Sequence, residues 1–319
     1  MTTGLIDRPA GAAAVRRGTP VTRDTSRPGE AGGTVRQEDR AGALVNALTV
    51  DVEDYFQVSA LAPHIERHTW DARECRVERN IDRLLALFEA RGARATFFTL
   101  GWIARRYPAL VRDVVANGHE LASHGSSHLR ASEQSRAEFH SDIDDARKLL
   151  EDIGGVAVHG YRAPSFSIGR ANLWAFDALA EAGYRYSSSV YPVRHDHYGM
   201  PDAPRFAFRT ESGVLELPIT TTRLLARNWP AGGGGFFRLL PYQASRWAIA
   251  RVNRVDRQPA IFYFHPWEID PQQPRIAGVS AKTRFRHYLN LDRTESRLGR
   301  LLSDFRWDRI DRVFETGAQ

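Results

Sequence analysis

The chain has 319 residues with 42% hydrophobic and 10% aromatic content, enough to enclose one large core of the size a single α/β barrel needs. Its one cysteine, Cys75, excludes an internal disulfide and a cysteine-rich metal cluster, and reads as a small buried hydrophobe rather than a nucleophile. The formal charge is +6, but lysine occurs only at Lys148 and Lys282, so 42 of the 44 basic residues are arginines scattered along the chain. That distribution argues against a nucleic-acid-binding stripe and leaves only weak attraction to anionic glycans or lipids.

No window approaches the roughly 18 consecutive apolar residues of a membrane span. Asp7 and Arg8 interrupt the N-terminal text before a secretory apolar stretch can form. The expectation is a cytoplasmic protein, peripheral at the inner membrane face if it meets a membrane at all. Residues 1–44 are rich in Gly, Ala, Pro, Arg and Thr without periodicity, which predicts a disordered tail.

Beyond the tail the text alternates. ALVNALTVDV reads as a buried strand and Asn80 to Ala90 as a helix stopped by Gly92. ARATFFTL is the second strand. PALVRDVVANG is a helix with proline in its first turn and Gly118 past its end. HELASH predicts a third strand and Ser135 to Leu150 a third helix. GVAVHGY is a fourth strand, followed by a helix over Asn172 to Ala182. YRYSSSVY and VLELPIT read as strands, Tyr242 to Val255 as a helix and AIFYFH as the last buried strand. The alternation predicts an α/β fold with a parallel sheet, and about seven β/α units favour a distorted (β/α) barrel. Residues 45–268 then form the barrel, and residues 269–319, ending in SRLGRLLSDFRWDRIDRVF, a helical C-terminal extension packed on it.

Polar, metal-capable residues fall where the buried strands end: Asp51, Glu53 and Asp54, then His124 and His128, then Arg162, then His265. In parallel barrels those ends open on one face, where catalytic groups gather. The spacing in His124-Gly-Ser-Ser-His128 puts two imidazoles on one face of a helical turn, within reach of one ion. Neutral imidazoles with one carboxylate suit zinc or another first-row metal. Three carboxylates at one strand end need a positive partner, which a metal, Arg162 or both supply. His265 follows five apolar residues, so burial tunes its ring. Sugar rings pack on aromatic faces, and Tyr55, Phe56, Trp102, Tyr161, Trp229 and Trp267, with Pro164 in the motif loop, are candidate substrate contacts; core packing is the alternative for each. Gly232 to Gly235 read as a mobile loop, covering substrate or simply connecting.

The order TVDVED, HGSSH, YRAPSF, FYFHPW resembles the polysaccharide deacetylases of carbohydrate esterase family 4, the NodB homology domain. TVDVEDYFQV, GGGGFFRLLPY and FYFHPWEID resemble more narrowly the subgroup of exopolysaccharide loci associated with the exosortase/PEP-CTERM system, over roughly Asn46 to Phe314. The resemblance implies a barrel of fewer than eight units and one divalent ion, Zn2+ with Co2+ or another first-row metal as alternatives. It implies Asp51 as base, His265 as acid, Arg162 as partner of the base, and His124 and His128 as metal ligands. Where the family commonly has two adjacent aspartates, Val52 follows Asp51, so the third ligand is Glu53 or Asp54. The shorter Asp54 matches the family's ligand reach, although strand geometry puts Glu53 on the face of Asp51. The aspartate that tunes the acid histidine in the family is Ser187 here, which leaves the partner of His265 open.

The activity implied is removal of N-acetyl groups from an exopolysaccharide or its lipid-linked oligosaccharide precursor, in association with exopolysaccharide assembly machinery. Hydrolysis of a cyclic amide or ureide, O-acetyl ester removal, and non-catalytic glycan binding are the alternatives. Ser126 and Ser127 are structural in this reading, since no covalent intermediate is needed.

Overall fold

The computed structural model describes residues 44–195 and 199–316, so the tail expected over residues 1–44 lies outside them save for Leu44. In chain order the elements are β1 (Val45–Val52), α1 (Val77–Arg91), β2 (Thr96–Thr99), α2 (Gly101–Arg106), α3 (Pro108–Ala116), β3 (Glu120–Ser123), α4 (Arg136–Gly154), β4 (Gly160–Tyr161), α5 (Trp174–Glu181) and β5 (Tyr186–Ser187). Then follow β6 (Phe208–Arg209), β7 (Leu215–Glu216), β8 (Thr221–Leu224), β9 (Arg227–Pro230), α6 (Gly234–Leu239), α7 (Tyr242–Arg251), β10 (Ile261–Phe264), α8 (Ala281–Tyr288), α9 (Leu291–Asp304), β11 (Arg306–Asp308) and α10 (Ile310–Val313). Helix ends follow their local signals: Gly92 closes α1 at φ 62°, Pro108 opens α3, and Ser135 caps α4 by accepting from the Glu138 N–H.

The main sheet runs β10-β1-β2-β3-β4-β5-β7-β6, with β11 also on β1. Pairing is parallel throughout except between β6 and β7. Apart from the short β11, seven strands pair in parallel, β1 to β5 with β7 and β10, which agrees with the expected number of units. Instead of a ladder between β7 and β10, the intervening chain fills the gap. The Ile219 N–H donates to Val190 O, the Ile261 N–H to Thr220 Oγ1, and Gly233 bridges Tyr263. The ring is therefore a distorted barrel.

Alternation along the strands sorts two cores. Ala47, Phe98, Ala122, Tyr186, Ile261 and Tyr263 point inward, while Leu48, Val50, Val52, Phe97, Phe262 and Phe264 face the helices. A strand covered on both faces must be apolar at nearly every position. The inward period of β1 continues through Thr49 and Asp51 to Glu53, and that of β10 to His265, so the same rule that builds the core aims the polar residues.

The C-terminal segment does more than pack on the barrel. β11 pairs with Val45–Ala47, the Ile310 N–H donates to Thr96 Oγ1 at 2.8 Å, and the Asp311 N–H donates to Glu120 Oε2 at 3.1 Å. Ile310, fully buried in the inner cluster, plugs the end of the barrel where the strands begin. Among the described residues no helix is long and apolar enough to cross a membrane. Ile310→Ala should lower unfolding stability by about 2–5 kcal/mol, the range for emptying a buried aliphatic site. Urea unfolding followed by tryptophan fluorescence checks this; a loss under ~0.5 kcal/mol would show that the plug is dispensable.

Candidate metal centre and acid-base pair

At the opposite end, where β1, β3, β4 and β10 finish, the charged residues converge. Arg162, wholly buried, donates from Nη1 to Asp51 Oδ1 at 2.6 Å and to Thr49 Oγ1 at 2.8 Å. Its Nε and Nη2 donate to the carbonyl and hydroxyl of Ser188, and its guanidinium lies 4.1 Å from the Phe98 ring centre. Every side-chain nitrogen is thereby engaged and the arginine cannot swing, so Asp51 is fixed in turn.

Glu53, His124 and His128 bring one ligand atom each within 4.8 Å of one another, all three buried. His124 Nδ1 lies 2.8 Å from the carbonyl of Arg162, which holds that proton in place and turns Nε2 toward Glu53. Burial pushes the His124 pKa down to about 4, so the ring is neutral at pH 7, the form that ligates metals. Glu53 Oε2 stands 2.8 Å from His128 Nε2 but has no aligned hydrogen bond. A buried carboxylate oxygen aimed between two imidazoles without a directed donor fits a shared cation. Burial would raise the Glu53 pKa, but the attraction of His128 and His265 prevails and holds it at about 2. The donor set, two nitrogens and one carboxylate, is one that zinc and other first-row metals accept.

Asp54, the carboxylate favoured from the sequence, is turned the other way. It caps the turn at Tyr55 and accepts from the Val77 N–H and the Cys75 thiol, tying β1 to the start of α1. The strand period carries through Glu53 without the bulge that Asp54 would need, so it is Glu53 that joins the two histidines. The HGSSH segment is likewise no helical turn. It is a loop bent by Gly125 (φ 75°) and His128 (φ 53°), which brings the two rings to 5.3 Å between centres. Arg67 grips its Ser127 and His128 carbonyls, and the Asp142 carboxylate accepts from the Ser126 N–H.

His265 completes the cluster, its Nε2 3.3 Å from Glu53 and 3.9 Å from Asp51. Its partner is Glu268, whose Oε1 lies 2.8 Å from Nδ1, while Glu268 Oε2 accepts from Arg238 Nε at 2.6 Å. Sequence reasoning missed both residues. The available signal was the i, i+3 spacing in His-Pro-Trp-Glu, a capping box in which the Glu268 carboxylate also accepts the His265 N–H. Burial alone would lower the His265 pKa, but Glu53, Glu268 and Asp51 overcome it and raise it to about 9. The Trp267 ring is sandwiched between His265 and His287, at 5.2 and 4.3 Å with 17° between planes. The glycine run is no loose cover either. Residues 232–234 are buried, and a Cβ on Gly234 would lie 2.3 Å from the Glu268 carboxylate, so glycine there admits the partner of His265.

The predicted aromatic contacts divide. Trp267 touches the site. Tyr55 and Phe56 are buried with Trp70 in an aromatic cluster that Trp102 joins, Tyr161 faces the helix layer against Phe139 and Tyr184, and Pro164 is buried at the start of a short turn. Trp229 stands half-exposed on the β8–β9 hairpin.

Residues 64–187 match the family model described as polysaccharide deacetylase, and residues 188–315 match one described as a domain of unknown function, DUF3473. A peptidoglycan-N-acetylglucosamine deacetylase of Bacillus cereus is 35% identical over 103 residues, covering 32% of this chain and 46% of that protein. A chitooligosaccharide deacetylase of Azorhizobium caulinodans is 33% identical over 79 residues, covering 24% and 38%. The chain thus spans less than half the length of these curated relatives. A crystal structure from Mycobacterium smegmatis, described provisionally as a polysaccharide deacetylase, superposes with a TM-score of 0.57 at 17% identity over 86% of this chain and 89% of that one, which shows a common fold.

Glu53→Ala and Asp54→Asn separate the two carboxylates. The first should weaken zinc binding by about 10–100-fold or more in calorimetry; the second should leave it intact but lower stability by about 1 kcal/mol as the cap loosens. The reverse pattern would return the ligand role to Asp54.

Proposed function

We propose, from the polysaccharide deacetylase family model that residues 64–187 match, that this chain is a metal-dependent hydrolase removing N-acetyl groups from an exopolysaccharide or its precursor. One observation carries the reading: Glu53, His124 and His128 converge beside Asp51, held by Arg162, and His265, held by Glu268. A cation site, a clamped carboxylate and a charged imidazole are the three elements that amide hydrolysis by water requires. The exopolysaccharide assignment is supported by the subgroup resemblance of TVDVEDYFQV, GGGGFFRLLPY and FYFHPWEID.

Glu53, His124 and His128 would hold a divalent ion, zinc by the chemistry of the donors, which would supply polarisation of the amide carbonyl and acidification of water. Asp51 accepts the proton from the attacking water on the oxygen that Arg162 leaves free, Oδ2. Arg162 keeps the carboxylate ionised and aimed. His265 donates from Nε2 to the amide nitrogen as the C–N bond breaks, because an unprotonated amine anion is a poor leaving group. Glu268 holds the other ring nitrogen and offsets the imidazolium charge. The products are acetate and the free amino sugar. Trp267 walls the site beside the acid, and its indole Nε1 lies 3.5 Å from Glu53.

Acetate release from a panel of N-acetylated glycans, with chelator and then with zinc or cobalt restored, tests the activity. Asp51→Asn and His265→Ala should each lower kcat by about 10²–10⁴-fold with the fold intact by circular dichroism. Turnover close to wild type in either variant would overturn the assigned roles. Glu268→Gln should lower kcat while leaving KM and zinc affinity near wild type; an unchanged kcat would remove it from the acid's support.

A further inference from the structure

The β8–β9 hairpin lies in a separate two-stranded sheet and takes no part in the charged cluster. Its turn breaks two rules at once. Leu225 and Ala226 occupy left-handed backbone (φ 49° and 61°), positions of a two-residue hairpin loop where asparagine and glycine are the economical choices. The tip is also apolar and open to solvent, with Leu225 87% exposed and Leu224 43%. A leucine that neither relaxes the turn nor packs on anything has its rationale outside the molecule. On the register, Leu224 pairs with Arg227 and Thr222 with Trp229, so Leu224, Arg227 and Trp229 share one face.

We propose that this hairpin docks the chain on a bilayer surface containing anionic phospholipid. Leu224 and Leu225 lead. Arg227, directly after the two-residue turn, and Arg223, one residue before Leu224 and on the opposite face of the ribbon, are both exposed and carry the charge complementary to lipid phosphates; their long stems let the guanidinium stay at the headgroups while the leucines go deeper. Trp229, 52% exposed, is three residues down the strand from the turn, about 10 Å behind the tip. That matches the roughly 5–10 Å to which amphipathic elements enter the headgroup boundary, the level indole rings prefer. The net charge of +6 adds attraction of the same sign. The contact is shallow and reversible, in keeping with the absence among the described residues of a membrane-crossing helix.

The full chain is sedimented with vesicles of phosphatidylcholine alone and of phosphatidylcholine mixed with phosphatidylglycerol. Wild type should pellet with the anionic vesicles and largely stay in solution with the neutral ones, with binding falling as salt is raised. Arg223→Gln with Arg227→Gln should bind the anionic vesicles about thirty-fold more weakly, and Leu225→Asp should abolish pelleting. Melting temperature and zinc affinity, both unchanged, verify that the variants fold, so the result does not depend on the proposed deacetylation. Wild type remaining in solution with anionic vesicles, or Leu225→Asp pelleting like wild type, overturns the proposal. So does retention of the hairpin by a soluble acidic glycan in place of vesicles.

Discussion

A guanidinium sealed inside a protein is the most expensive group the fold holds, and the barrel is organised around satisfying Arg162. One carboxylate alone would leave most of its donors unpaired. The structure gives it Asp51 and Thr49 from β1 and both oxygens of Ser188, with the face of Phe98 against the charge. Ser188 is itself anchored on Leu217 O, and Glu216 takes the Ser189 and Val190 N–H groups. Four strands are therefore locked by one residue, and loss of either ion-pair partner leaves an uncompensated buried charge. The carbonyl of the same arginine receives the proton of His124, so one position both sets the Asp51 carboxylate and fixes the tautomer of His124.

Around His265 a second set of constraints does the same for the opposite charge. Glu53 and Asp51 face its Nε2 and Glu268 its Nδ1, and Arg238 neutralises the far side of Glu268 while reaching the carbonyls of His287 and Leu289. The ring is flanked by Trp267, backed in turn by His287. An imidazole held between acids and against an aromatic plane is kept charged and has little freedom to rotate. Both halves of the proposed chemistry thus rest on arginines that never face the site: Arg162 behind the base and Arg238 behind the acid.

Much of this was legible in the sequence because it follows from period. β1 and β10 are long enough for the two-residue repeat to identify the inward face, and that repeat already put Glu53 with Asp51. The preference for Asp54 came from the resemblance instead, and the local demand for a cap at Tyr55 and α1 decides against it. The histidine pair was visible as spacing, but its conformation was not, since Gly125 and a left-handed His128 give the same separation that a helical turn would. β11 escaped notice because Phe-Arg-Trp-Asp-Arg follows a helical pattern without a turn signal, and its strand identity arises only from pairing with β1. Glu268 was hidden for a similar reason: a lone acid three residues beyond a histidine gains meaning only when Gly234 makes room for it.

The charged cluster draws its side chains from both matched regions. His124, His128 and Arg162 fall within residues 64–187, while His265, Glu268 and Arg238 fall within residues 188–315. Asp51 and Glu53 precede both, on the strand that pairs with β2 from the first region and with β10 and β11 from the second. Strand β1 is therefore the seam, and its register sets Asp51 and Glu53 relative to imidazoles from either side. A slip of two residues on β10 would preserve every inward and outward face of the core yet carry His265 about 7 Å along the barrel axis, out of reach of Glu53. Core packing cannot forbid such a slip by pattern alone. The contacts that can are specific ones: Asn46 Oδ1 accepting the Ala260 N–H, Thr49 Oγ1 donating to Phe262 O, and Thr220 Oγ1 accepting the Ile261 N–H. These buried polar side chains pin the register of β10 and with it the 3.3 Å approach of His265 to Glu53.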